Sequence, residues 1–286
     1  MSKILYLKED NQSVFLKYID NQKMCKYYKL NSKNIVLKVL KKIGHASILW
    51  GDWKNKVKDC ELVILGENGY FPSISKYIKK NNPNCKIILY FWNILKEQKS
   101  YSKLLDDKNI DEFWTFDKID AKKYNMKYNP QFYTKNVKIK KNNNKYDVLF
   151  LGRAKTRKNE LMNIEEEFRK YGINTNFKVI EKEKDYVAYD DYLDMLSESK
   201  CVLDYNQEGQ VGLSLRPMEA LFLKKKLITN NKDIKNYDFY NTNNIFILEE
   251  ENIEKIKEFV NEPYQEVKKE IVEYYDFEQW LKRFGV

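Results

Sequence analysis

KCVLDYNQEGQVGLSLRPMEALFLKKKLIT (200–229) packs a strand, a glycine-bearing loop, a helix and a second strand into thirty residues. Its two apolar runs, KCVLDY (200–205) and KLIT (226–229), are short and continuous, as strands buried on both faces of a parallel sheet are. Pro217 lacks an N–H, and its ring clashes with a carbonyl four residues back inside a helix. The intervening helix therefore starts between Ser214 and Pro217. Leu215, Met218, Leu221 and Phe222 supply its core-facing side. The stretch is a βαβ unit, and it sets the pattern for the rest of the chain.

Working outward, the same alternation recurs on both sides. Upstream lie the strand YDVLFLG (146–152), a helix over 156–172 closed by Gly172, the strand NFKVI (176–180) and the helix YDDYLDMLSES (189–199). Downstream come the strand NIFIL (244–248) and helices from about 250 onward. The first half reads similarly. KILYL (3–7), CELVILG (60–66), CKIILYFW (85–92) and DEFWTF (111–116) are strands, while 32–44, 71–83 and 117–125 are helices. Between the halves, KNVKIKKNNNK (135–145) is polar and without periodicity, the best linker candidate. The fold class expected is α/β, with two doubly wound Rossmann-like domains facing across a cleft. They divide as 1–140 and 141–286. The last helix, within DFEQWLKRFG (276–285), is amphipathic enough to dock, with the first domain as candidate partner.

Open parallel sheets bind ligands beyond the carboxyl ends of their strands. The strand 200–205 delivers its loop there, with Gly209 and Gly212 permitting close backbone approach, followed by Leu213 and Ser214 at the helix start. A helix start aimed into a crevice suits phosphate. Arg216 and Glu219 share a face of the first turn. The guanidinium can grip a phosphate and the carboxylate can accept hydrogen bonds from a diol, although the two can also simply pair with each other. A second element ends at the same strand face: Gly152 closes FLG, and Arg153, Lys155, Arg157 and Lys158 follow. Four cations at a helix start oppose the helix dipole unless an anion neutralises them.

Composition bounds the rest. Residues 1–150 hold 30 basic and 15 acidic residues, a net of +15, whereas 151–286 hold 22 and 27, a net of −5. Such asymmetry suggests two units with different tasks, the first facing something anionic. Nucleic acid is disfavoured, because no helix-turn-helix, zinc-finger, RRM or KH signature is present and the second half is acidic. The four cysteines are scattered and the single histidine is His45, so zinc sites, disulfide frameworks and histidine-based triads find no support. Buried free thiols are expected. No run approaches ~18 apolar residues, and MSKILYLKED reaches charge at Lys8, so a cytoplasmic protein is expected.

The words DVLFLGRAKTR (147–157), LDYNQEGQVGLSLRPMEALFLKKKLITNN (203–231), IKNYDFYNTNNIFIL (234–248) and, more weakly, EFWTFDKIDAKKYNMKY (112–128) resemble bacterial glycosyltransferases of the GT-B class. The likeness is greatest to cytosolic enzymes of capsule, lipopolysaccharide and surface-glycan assembly. It implies transfer of a sugar from a nucleoside-diphosphate sugar, with uridine the commonest base, to a glycan, lipid-linked or protein-linked hydroxyl. By resemblance, Arg153 neutralises the diphosphate together with Lys155, Arg157 or Lys158, and Glu219 contacts the ribose. Many retaining relatives carry a second glutamate eight residues before this one, where Val211 stands here, and Glu208 lies eleven upstream. Stereochemistry therefore stays open, and a non-catalytic scaffold or activator of another transferase is the alternative.

No cofactor and no metal is expected, since the chain lacks a D-x-D triplet. An inverting reaction requires a base from the first domain. Glu67, in the GENG loop, is the leading candidate, with Asp117 and His45 behind it. Trp50, Trp53, Trp92 and Trp114 are available to stack on sugar rings or to pack inside. A basic first half would favour acceptors carried at an anionic membrane surface.

Overall fold

A computed structural model describes residues 3–8, 14–19, 25–29, 51–67, 72–95, 103–154, 156–207 and 211–285. The chain divides into two compact units, Met1–Pro130 with Arg283–Val286, and Gln131–Lys282. Both are α/β and each is built on one parallel sheet. The helix expected over 32–44 lies outside the described residues.

Among the described residues, the first unit has six parallel strands: β1 (Ile4–Lys8), β2 (Cys25–Lys29), β3 (Leu62–Gly66), β4 (Lys86–Phe91), β5 (Glu112–Thr115) and β6 (Lys127–Tyr128), in the order β2-β1-β3-β4-β5-β6. Helices α1 (Pro72–Asn81) and α2 (Lys118–Lys123) fall where the sequence predicts them. Every residue of β1 and β3 is buried, as expected of continuous apolar runs covered on both faces. One core cluster joins Leu5, Val63, Ile87 and Leu89 to Ile74 and Ile78, which recur one helical turn apart on α1. Two strands escape a reading by pattern. β2 (CKYYK) mixes lysine with tyrosine, and β6 has two residues.

The described residues of the second unit form five: β7 (Tyr146–Arg153), β8 (Thr175–Ile180), β9 (Ser199–Asp204), β10 (Lys226–Thr229) and β11 (Ile245–Ile247), in the order β11-β10-β9-β7-β8. Its helices are α3 (Lys158–Lys170), α4 (Tyr189–Ser197), α5 (Leu215–Leu223), α6 (Ile256–Asn261), α7 (Lys269–Tyr274) and α8 (Phe277–Lys282). Gly172, at φ +69°, follows α3 in a conformation that side chains with a Cβ rarely take. The polar run 135–145 belongs wholly to this unit and does not join the two. It is pinned to α4, with Asn142 Nδ2 donating to Ser197 Oγ at 2.8 Å and Lys140 paired with Asp194 at 2.9 Å.

Strand order locates the switch points, where connections leave in opposite directions and open a crevice. In the first unit this is between β1 and β3, and in the second between β7 and β9.

Candidate functional site

At the carboxyl end of β9 stands Asp204, 1% exposed. It is an acid at the end of an apolar strand, and so must be held by partners. Ser214, the N-cap of α5, provides one. Its hydroxyl donates to Asp204 Oδ1 at 2.7 Å and accepts the Arg216 N–H at 3.2 Å, satisfying a helix-end donor. Arg216 provides the other, with Nη1 3.7 Å from the same oxygen. Its Nη2 donates to the carbonyl of Leu151 on β7. One arginine thus ties β7, β9 and α5 together at the switch point.

Gly152 makes room for it. A Cβ there would lie 2.8 Å from Arg216 Nη2 and 3.1 Å from the ring of Phe150. That ring lies beneath two guanidiniums, with Arg216 at 5.5 Å and Arg157 at 6.0 Å from its centroid, within cation–π range. Burial lowers the pKa of Arg157, and the neighbouring Arg216 lowers it further. Burial likewise pushes Asp204 up, against the pull of Arg216, the Ser214 hydroxyl and Arg157. Both shifts follow from charges crowded where water is scarce.

Among the described residues, four buried polar atoms here have no hydrogen-bond partner: Nε of Arg157, Nε of Arg216, Oδ2 of Asp204 and Nδ2 of Asn206. The Asn206 backbone is fixed, donating to Asn230 Oδ1 at 2.7 Å and accepting from Asn230 Nδ2 at 3.1 Å. Asn231 Nδ2 holds the Val211 carbonyl at 3.1 Å, so both sides of the loop are tied to the end of β10.

Glu219 sits differently from the open diol acceptor expected of it. It is 2% exposed, and Tyr189 and Tyr192 on α4 donate to its two oxygens at 2.8 and 2.6 Å. Tyr133 extends the network, its hydroxyl 2.5 Å from that of Tyr189. Burial raises the Glu219 pKa although both hydroxyls and Arg216 oppose the shift. Arg216 also departs from expectation. Its two terminal nitrogens face protein groups, and its buried Nε is without a partner among the described residues.

Of the other expected residues, Arg153 is exposed at the end of β7, and Lys158 is paired with Glu181 at 2.8 Å. Gly212 and Leu213 are buried before the cap. Pro217 occupies the third position of α5, so this helix start offers one amide donor fewer than most. Lys155, Gly209, His45 and Trp50 lie outside the described residues. Sequence reasoning overlooked Asp204, Asn206, Phe150 and the three tyrosines. Only Asp204 carries a local signal, an acid closing an apolar strand.

In the first unit, Glu67 follows β3 directly and is 3% exposed. Its carboxylate accepts the Trp92 N–H at 3.0 Å and the Asn93 amide at 2.6 Å. Burial raises its pKa, against the charge of Lys8, whose ammonium lies 3.4 Å from the centroid of the Trp92 ring. Asp117 instead caps α2, accepting the N–H groups of Ile119 and Asp120 at 2.9 and 3.0 Å. Trp53 and Trp114 are buried and Trp92 is half-buried. Cys60, Cys85 and Cys201 are buried free thiols pushed up by burial to about 12, 11 and 12.

A cavity of about 320 Å³ lies beside β11 and is lined by Lys226, Phe246, Glu251, Glu258 and Glu262 among others. It contains none of the expected site residues. Among the described residues no three metal-ligating side chains are grouped, and no helix is long and apolar enough to cross a membrane.

No protein-family model and no curated protein sequence matches the chain. Among solved structures it is similar to the crystal structure of a glycosyltransferase from Rickettsia africae ESF-5. The identity is 11%, the alignment covers 99% of this chain and 97% of that one, and the TM-score is 0.51. A cofactor (NAD+)-bound 3-phosphoglycerate dehydrogenase from Entamoeba histolytica aligns over 91% and 92% at 12% identity. Its TM-score of 0.22 is too low to bear on the fold. The first likeness is one of fold: a two-unit α/β chain with Rossmann-like parallel sheets, of a kind that a glycosyltransferase also has.

Proposed function

We propose that the chain is a GT-B-class glycosyltransferase that moves a sugar from a nucleoside-diphosphate sugar, of the UDP type, to an acceptor hydroxyl in surface-glycan assembly. The donor diphosphate binds at the β7–β9 switch point. The observation that carries this reading is the guanidinium pair of Arg157 and Arg216, held over Phe150 with a buried donor of each unused. Exposed Arg153, at the end of the same strand β7, adds a further cation to this strand end, and such a grouping suits a departing diphosphate. Positive charge fixed in a dry site stabilises such a leaving group without a proton transfer to it. The acceptor hydroxyl still needs its proton removed. Glu67, the carboxylate buried directly after β3, is the residue of the first unit proposed for that step.

Two measurements test this. In a thermal-shift panel of nucleotides and nucleotide-sugars, a ligand of the folded state raises the melting temperature by mass action. Arg153→Ala and Arg157→Ala should each weaken binding of the best ligand roughly ten- to a hundredfold, the usual cost of losing a charged hydrogen bond. Unchanged affinity in both variants refutes the assignment. The enclosed Glu219 favours a second reading, a scaffold that keeps the fold without turnover. Hydrolysis or transfer of a bound nucleotide-sugar excludes it.

A further inference from the structure

The unpartnered atoms at the β7–β9 switch point are not all of one kind. Nε of Arg157, Nε of Arg216 and Nδ2 of Asn206 are donors, which an anion satisfies. Oδ2 of Asp204 is an acceptor on a carboxylate buried to 1% exposure. A bare diphosphate would bond the three donors and leave that oxygen facing a like charge. Buried polar groups are nearly always paired, so the set calls for a ligand with a hydroxyl beside its anion. Asn206, 6% exposed and two residues beyond Asp204, adds a donor of the kind that holds a hydroxyl oxygen. The other carboxylate nearby is already used, since Tyr189 and Tyr192 take both oxygens of Glu219.

We infer that Asp204 accepts a hydrogen bond from a hydroxyl of the diphosphate-linked ligand, with Asn206 donating beside it, and that Glu219 holds α4 to α5 instead of touching the ligand. This rests on the diphosphate site proposed above. The hydroxyl belongs either to the ribose or to the transferred sugar, which present the same chemistry. Asp204 is then the specificity carboxylate of the site. Its Oδ1 is bonded to Ser214 and faces Arg216, which leaves Oδ2 as the unused acceptor.

Titration calorimetry with pyrophosphate, UDP and UDP-glucose separates the possibilities in the unaltered chain, Asp204→Asn and Asn206→Ala. Asp204→Asn should bind pyrophosphate at least as tightly as the unaltered chain, because a negative charge beside the anion is gone. That result also shows that the variant is folded. UDP should bind it roughly ten- to a hundredfold more weakly if the ribose supplies the hydroxyl, and UDP-glucose alone should weaken if the sugar does. An equal change with all three probes, or none, overturns the assignment while leaving the diphosphate site standing. Failure of the unaltered chain to bind any of the three removes both. Asn206→Ala gives the same comparison should Asp204→Asn not fold, with a smaller loss confined to the hydroxyl-bearing probes.

Discussion

Gly152 and Glu219 place opposite demands on their surroundings, one needing space and the other needing partners. A Cβ on residue 152 meets the far end of the Arg216 side chain at 2.8 Å, which can move, and the Phe150 ring at 3.1 Å, which must yield slightly. Gly152→Ala should therefore cost only about 1–2 kcal/mol in a urea melt, yet weaken UDP binding severalfold by displacing the guanidinium. A large stability loss with intact binding would contradict this. Glu219 has a pKa raised above its ordinary 4.5, chiefly by burial. Its native state binds a proton more readily than the unfolded chain does. The stability gained is complete below about pH 4.5 and drains away as pH rises through the folded value. The stability of the unaltered chain minus that of Glu219→Gln should accordingly shrink between pH 4.5 and 7.5, and a difference that stays flat across that range contradicts the raised value. That Glu219 would be enclosed was not legible in its own neighbourhood, because its partners lie 30 and 27 residues upstream on another helix.

Elements were more readable than residues, for a physical reason. The strands β1, β3, β4, β7, β9, β10 and β11 announce themselves as uninterrupted apolar runs because both faces of their sheets are covered. The start of α5, expected between Ser214 and Pro217 because of the proline, falls at Leu215. The mixed run CKYYK carries no such signal, nor does a two-residue strand. The polar run 135–145 was misread because polarity without periodicity does not distinguish a linker from a segment bonded along a helix. Ser214 joins cap and site in one hydroxyl, so Ser214→Ala should cost about 1–3 kcal/mol. It loses a cap worth roughly 0.5–2 kcal/mol and leaves Asp204 with Arg216 as its remaining partner. Chemical denaturation reads the cost, and a loss below a few tenths would show that the cap carries no weight.

At the scale of the molecule, the chain does not simply finish its second unit and stop. Its last four residues, Arg283–Val286, count with the first unit, while α8 just before them counts with the second. Phe284 is 1% exposed, with its ring 4.8 Å from that of Trp114 and 6.3 Å from that of Tyr90. Lys86 Nζ donates to its carbonyl at 2.9 Å. Phe284, just beyond the amphipathic helix α8, thus packs within the first unit's core, while α8 itself counts with the second. Phe284→Ala should destabilise that unit by about 3–5 kcal/mol, seen in calorimetry as a lowered transition. An unchanged thermogram would mean that the tail is dispensable.

The proposed function predicts where a nucleoside diphosphate would protect the backbone. Hydrogen exchange followed by mass spectrometry, with and without saturating UDP, reads this directly in the unaltered chain. Slowed exchange should centre on the carboxyl ends of β7 and β9 and the starts of α3 and α5, whose described residues meet at the β7–β9 switch point. Protection confined to other segments, with UDP bound and these unchanged, would contradict the diphosphate site.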